Sequence, residues 1–153
     1  DMINTNLVAV HLLTKLFLRD MQKRDSGYIL NVASSAAFGP GPLMATYYAT
    51  KAYVNNLTEA INEELRRDKS NVFISSLCPG PVDTNFNNVA NVKFSVKPLK
   101  ADYVAKYGID RMFKKKMLSV PGTGIRFCKF LNRLLTDKAR MRIVYRMQEK
   151  KLK

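Results

Sequence analysis

The sequence predicts an α/β fold, a doubly wound parallel sheet present in part, with about three strands and flanking helices. Three observations predict it. Helix-like and strand-like segments alternate along the chain, the order of parallel βαβ units. The strand candidates are short, nearly unbroken apolar runs, as expected of strands buried on both faces. Loop-forming clusters such as "FGPGP" and "PGP" separate these runs from the next segments of the chain.

Taken in order, residues 2–22 place Leu7, Val10, Leu13 (with Thr14), Phe17 and Met21 at a helical period, and "RDSG" breaks that helix. "YILNVASS" supplies a buried strand at 28–33. A second long helix is predicted from Met44 to Arg67, with Ala49, Ala52, Tyr53, Leu57, Ala60, Ile61 and Leu65 on related faces. "DKSN" ends it, and "VFISSLC" is the second buried strand, stopped by "PGP". Residues 83–110 are mixed and polar, expected to form a mobile loop carrying short helices. "DRMFKKK" continues a helix, "MLSVPG" is a third strand, and two basic helical segments finish the chain.

Length and composition bound the function. With 153 residues, 46% hydrophobic and 25% charged, the chain fits one globular domain with a real core. No apolar run approaches the roughly 18 residues of a membrane span. The most apolar stretch, "LVAVHLLTKLFL", is interrupted by His11, Thr14 and Lys15 and has no cleavage site behind it, so it is not read as a signal peptide. Cys78 and Cys128 sit in apolar contexts and are expected to be buried thiols in a reducing, cytoplasmic setting, with a disulfide between them as the lesser alternative.

The net charge of +14 is uneven: from Arg126 to Lys153 ten basic residues face only Asp137 and Glu149, a local net of +8. Without interleaved aromatics for base stacking, nucleic-acid binding is not expected. The tail is read as a solvated amphipathic helix with an apolar stripe of Ile143, Met147 and Leu152; peripheral membrane contact is the other reading.

The stretch "YYATKAYVNN" holds the chain's one Tyr-x-x-x-Lys pair, Tyr47 with Lys51. Seven Tyr and sixteen Lys in 153 residues would give about 0.7 such pairs by chance, so the spacing carries weight only through its surroundings. Physically, positions four apart share one helix face, which lets Tyr47 and Lys51 point into one site and turns Tyr48 away. Lowering a tyrosine pKa from about 10 to about 7 needs about 4 kcal/mol. A lysine cation about 5 Å away, at an effective dielectric of about 20, supplies roughly 3.3 kcal/mol. The pair is therefore capable of general acid–base work.

"ILNVASSAAFGPGPLMATYYATKAYV" resembles the active-site segment of the short-chain dehydrogenase/reductase family, a Rossmann-type group of NAD(P)-dependent oxidoreductases. In that family a serine just beyond a strand precedes the catalytic tyrosine by thirteen positions, as Ser34 precedes Tyr47. The family's Tyr-x-[Ala/Ser]-[Ser/Thr]-Lys corresponds to Tyr47 through Lys51. Its helical asparagine is matched by Asn6, with Asn4 as the alternative register. Its Pro-Gly-x-Val-x-Thr turn is matched by Pro79-Gly80-Pro81-Val82-Asp83-Thr84. Singly, each residue could be ordinary: a turn serine, a surface tyrosine, a solvated lysine, a strand-ending Pro-Gly. Four coincident spacings in the right order are not.

The resemblance implies roles. Tyr47 would be the general acid or base, and Ser34 would hydrogen-bond the substrate oxygen. Lys51 would bind the nicotinamide ribose, and Asn6 would hold a water in a proton relay. Pro79, Gly80, Val82 and Thr84 would hold the nicotinamide carboxamide, with Tyr47 and Lys51 also at the cofactor. Ser35, one position off the spacing, is expected to project elsewhere. The implied cofactor is NADP, with NAD open. The substrate is a small carbonyl or alcohol, weighed toward a hydrophobic ketone or 3-oxoacyl group by Phe86, Phe94, Val96, Leu99 and Tyr103. The helices 2–22 and 44–67 resemble those that pair family members, so a homodimer or homotetramer is expected. A non-catalytic binding protein of the same fold is the rival, which the presence of Ser34, Tyr47 and Lys51 disfavours.

The chain starts at Asp1 inside a helix, and the family's glycine-rich pyrophosphate turn and Asn-Asn-Ala-Gly segment find no match. It is therefore expected to be the C-terminal half of one larger domain: an active-site segment at 1–84, a substrate loop and helix at 85–115, and a last strand with basic helices at 116–153. Alone, that half is expected to bind a dinucleotide poorly and to leave one strand edge uncovered. Other motifs carry little. His11 is the only histidine and is expected to be structural, no Cys/His cluster has metal spacing, and "PGTGI" is read as a strand-to-helix connection.

Overall fold

A computed structural model describes residues 1–85, 97–132 and 134–152, with side chains up to residue 150. The first helix opens as a π-helical stretch, Asn4–Ala9, and continues as α1, Val10–Lys23. It stops in a turn where Asp25 adopts φ 47°, a left-handed conformation that Asp tolerates better than most residues. The Asp25 carboxylate accepts hydrogen bonds of 2.8 to 2.9 Å from the Ser70 hydroxyl, the Asn71 backbone N–H and Asn71 Nδ2. The turns that precede the first two strands are thereby stitched together.

Strand β1, Gly27–Val32, lies parallel to β2, Val72–Leu77, in register from Gly27 opposite Val72 to Val32 opposite Leu77. Helix α2, Ala45–Arg67, connects them and makes the βαβ unit that the alternation predicts. Strand β5, Leu118–Ser119, adds to the far side of β2, giving the sheet order β1-β2-β5. Central β2 is buried at every position but Phe73, which is why "VFISSL" shows no polar–apolar alternation. A second, two-stranded parallel ladder pairs β3, Val82–Asp83, with β4, Leu99–Lys100.

Alternate strand residues point to opposite faces, and helices cover both. On one face Ile29, Val72 and Ile74 pack with Leu65 and Ile61 of α2 and Leu18 and Met21 of α1. On the other, helix α3, Ala101–Phe113, comes so close that a Cβ on Gly108 would lie 2.7 Å from Leu77 Cδ2 and 3.3 Å from Leu30 Cδ2. A second core cluster, Ala33, Val54, Cys78 and Val120, sits at the C-terminal ends of the strands. Fully burying side chains such as Val54 and Ile74 contributes roughly 1.5–3 kcal/mol each. Some of the polar groups inside the packing pair with one another, while the Ser75 and Ser119 hydroxyls are buried without a partner among the described residues. Thr14 Oγ1 donates to Asn31 Oδ1 at 3.3 Å, and Asn31 Nδ2 donates to Thr58 Oγ1 at 2.9 Å.

Several expectations change. The third strand is a two-residue piece inside the predicted 117–122. Within the mixed segment 83–110, the described part holds β3, β4 and the start of a regular thirteen-residue helix. Phe86, Phe94 and Val96 lie outside the described residues. Both cysteines are free, but only Cys78 is buried; Cys128 is exposed on α4, Thr123–Asn132. In the basic helix α5, Asp137–Leu152, the stripe residues Ile143 and Met147 are exposed, and the buried position is Gln148. An apolar stripe faces inward only where a core lies opposite it; here the helix meets the body through a polar contact. His11 is structural as expected: its Nδ1 hydrogen-bonds the Tyr53 hydroxyl at 2.7 Å, joining α1 to α2. "PGTGI" does lead from β5 into α4.

Candidate active site

The site grows from the C-terminal ends of two neighbouring parallel strands, the usual place for ligands in open α/β sheets. Beyond β1 the chain turns at Ser34, an extended residue that caps the 3-10 helix Ser35–Phe38: its hydroxyl oxygen accepts from the Ala36 N–H at 3.1 Å. Beyond β2 it turns at Pro79-Gly80. The two turns are tied by Ser35 N–H donating to the Pro79 carbonyl at 2.7 Å. Gly80 admits α4 closely, since a Cβ there would lie 2.7 Å from Ile125 Cδ1.

Helix α2 brings Tyr47 and Lys51 over these turns, one helical turn apart. The Tyr47 hydroxyl is hydrogen-bonded to the Ser34 side chain. Lys51 Nζ donates to the Val32 carbonyl oxygen, the last residue of β1, at 3.1 Å. Thr50, buried behind them, donates to the Tyr47 carbonyl at 2.9 Å. Asn6 reaches the site from the π-helical stretch, a distortion frequent at functional sites.

All eight residues singled out in the sequence, Asn6, Ser34, Tyr47, Lys51, Pro79, Gly80, Val82 and Thr84, line one cavity of about 490 Å³. Leu77, Val104 and Ala105 supply part of its apolar wall. Two expectations fail at its rim. Tyr48 is not turned away: its ring lies edge-on to Tyr47 with centroids 6.2 Å apart, and it borders the cavity. Ser35 borders it too. The cavity wraps around the start of α2 rather than facing one side of it, so adjacent positions both reach it. Gln148 is a site residue that sequence reasoning does not find. It comes from α5, a hundred residues after Tyr48, and donates from Nε2 to the Tyr48 hydroxyl oxygen. No local pattern in the sequence marks such a long-range contact.

The electrostatics also differ from the sequence expectation. Burial pushes the Tyr47 phenol up from its ordinary value, with the Ser34 hydrogen bond pulling the other way. Burial likewise pushes the Lys51 ammonium down. Desolvation disfavours the charged form of each group and is the largest cause of both shifts. Tyr47 is thus held as a neutral, proton-bearing acid. Among the described residues no group of three His, Cys, Asp or Glu could hold a metal ion.

Comparison with known proteins places this geometry. Residues 1–93 match the family "short chain dehydrogenase". The chain is 33% identical over 103 residues to the very-long-chain 3-oxoacyl-CoA reductase of Anas platyrhynchos, covering 67% of this chain and 32% of that protein. It is 36% identical over 95 residues to the 17-beta-hydroxysteroid dehydrogenase type 3 of Mus musculus, covering 62% of this chain and 30% of that protein. The matched stretch thus spans about a third of these relatives' length. Among solved structures, a short-chain dehydrogenase from Sphingobium yanoikuyae in complex with NADPH superposes with a TM-score of 0.72 at 21% identity, covering 90% of this chain and 52% of that one.

Proposed function

Because this chain belongs to the short-chain dehydrogenase family, we propose that it forms the catalytic part of a nicotinamide-dependent oxidoreductase. The reaction interconverts a ketone or 3-oxoacyl group and the matching secondary alcohol. The observation that carries this reading is the Ser34–Tyr47 hydrogen bond, with Lys51 one turn further on, inside a single cavity at the strand ends.

The residues present fit the nicotinamide end of the cofactor. The cavity lies within the roughly 300–1,000 Å³ of ligand pockets, and its donors suit a ribose and a carboxamide. Lys51 would hold the ribose hydroxyls. The backbone of Pro79, Gly80 and Val82, with the Thr84 hydroxyl, would hold the carboxamide and so select the ring face. When bound, the dinucleotide supplies or takes up a hydride. NADPH is the reading we favour, with NADH the alternative.

Tyr47 then gives its hydroxyl proton to the carbonyl oxygen as the carbon is reduced, and takes it back in alcohol oxidation. Ser34 holds that oxygen beside Tyr47, in hydrogen-bond reach of both hydroxyls. Asn6 orients a water that restores the Tyr47 proton. The relatives' names point to two substrate classes, 3-oxoacyl-CoA thioesters and steroids. The apolar walls suit either, and we favour the thioester.

NADPH and NADH oxidation by the full-length protein against a panel of ketones and 3-oxoacyl thioesters tests this reading. Turnover that depends on Tyr47 supports it. Dinucleotide binding with no turnover of any carbonyl would favour the non-catalytic binding protein instead.

Leu12, Leu13, Leu16 and Phe17 lie exposed on α1, which supports a homodimer or homotetramer built through this helix. The exposed Phe127, Phe130 and Leu134 beside the basic residues of α4 and α5 favour a second reading for the tail, contact with an anionic membrane. Co-sedimentation with anionic vesicles at low and high salt separates that from a cytoplasmic enzyme.

A further inference from the structure

We infer that Tyr48 and Gln148 form a second polar contact for the substrate, and that the site therefore selects a 3-oxoacyl thioester, with its second carbonyl, over an isolated ketone. This rests on the oxidoreductase reading of the cavity and sharpens it. Gln148 is 1% exposed, borders the cavity, and donates from Nε2 to the Tyr48 oxygen. A phenol oxygen that accepts this bond keeps its own O–H proton for another acceptor.

The Gln148 Oε1 is buried without a partner among the described residues. Burying an unmet acceptor costs stability, so packing alone does not explain a glutamine here; a leucine would fill the space without that cost. The surrounding wall is largely apolar, with Val32, Leu77 and Val104, which makes the pair a distinct polar spot.

Its position suits a β-dicarbonyl substrate. The Tyr47 and Tyr48 rings adjoin edge-to-face at an interplanar angle of 77°. A substrate whose reacting carbonyl sits on Ser34 and Tyr47 would bring a second carbonyl, two bonds of carbon skeleton away, beside Tyr48. A ketone without that group leaves the Tyr48 donor unmatched. Selection of this kind comes from a site's polar groups left unpaired.

The test uses the full-length protein with 3-oxohexanoyl N-acetylcysteamine thioester and 3-hexanone, the ketone read as substrate or as competitive inhibitor. Tyr48→Phe should lower kcat/KM for the thioester about fivefold to tenfold, chiefly through KM, and leave the ketone within about twofold. Gln148→Leu should shift the thioester in the same direction with unchanged folding by circular dichroism. If it misfolds, the near-isosteric Tyr48→Phe decides alone. Equal losses on both substrates, or none on the thioester, would overturn the inference. Two controls keep the ideas apart: no turnover of either substrate by the wild-type protein removes the oxidoreductase reading, and activity surviving in Tyr47→Phe removes Tyr47 as its acid.

Discussion

Lys51 donates from its ammonium to the carbonyl oxygen of Val32 at 3.1 Å, a bond between helix α2 and the last residue of strand β1. It fixes the height of the helix over the strand ends, one turn beyond Tyr47. Lys51 therefore has a positioning task in addition to its proposed contact with the cofactor ribose. Lys51→Met should lower kcat/KM about a hundredfold, the scale of losing one preorganised donor. Lys51→Arg should not restore it, because a planar guanidinium fork does not reproduce a compact ammonium. Steady-state kinetics of the two variants check this.

Ser34 joins two jobs in one hydroxyl, capping Ser35–Phe38 through the Ala36 N–H and bonding Tyr47. Ser34→Ala should cost about 1 kcal/mol of stability from the lost cap. It should also reduce turnover tenfold or more. Ser34→Thr should recover much of the stability. Denaturant unfolding and kcat, measured on the same samples, separate the two effects.

The buried chain Thr14–Asn31–Thr58 gives a prediction away from the site. Thr58→Val keeps the shape but leaves Asn31 Nδ2 without the oxygen it donates to at 2.9 Å. Orphaning a buried donor costs about 1–3 kcal/mol, so the denaturation midpoint should fall with the slope unchanged.

The raised Tyr47 pKa has a definite sign in both activity and stability. Carbonyl reduction, which needs the protonated phenol, should hold at neutral pH and fall only as pH rises through the Tyr47 pKa. Alcohol oxidation should rise over the same span. The stability contributed by keeping Tyr47 neutral is present below the ordinary tyrosine value and lost as pH climbs through the folded-state value. Ultraviolet difference titration of the dinucleotide-free protein should show two tyrosines ionising above the ordinary range, both raised by burial, and Tyr47→Phe should leave only one, Tyr48.

The fold class was legible because a strand covered on both faces writes itself as a nearly unbroken apolar run, as "VFISSL" does. "YILNV" reads alike, but the expectation that it is buried fails, since β1 leaves Tyr28 and Val32 exposed and buries only Asn31. The residues of the cavity were legible where chemistry imposes fixed spacing within or just beyond one element, as for Tyr47 with Lys51 and for Pro79 through Thr84. Electrostatics were not, since the sequence places a cation near Tyr47 but says nothing of how dry the site is. Gln148 and the exposed stripe of α5 escaped for a related reason. Which face of a polar helix is buried depends on what the fold sets opposite it, and here that partner is Tyr48. The helix Ala101–Phe113 was blurred by Gly108, a poor helix former retained where α3 nearly touches Leu77.

Tyr47 is the residue on which the proposed chemistry depends most. The most direct measurement is NADPH-dependent carbonyl reduction by the full-length protein and its Tyr47→Phe variant, under saturating cofactor. A proton-donating Tyr47 predicts a fall in kcat of about a hundredfold to ten-thousandfold, with folding and dinucleotide binding retained. A variant that turns over at close to the wild-type rate would contradict it.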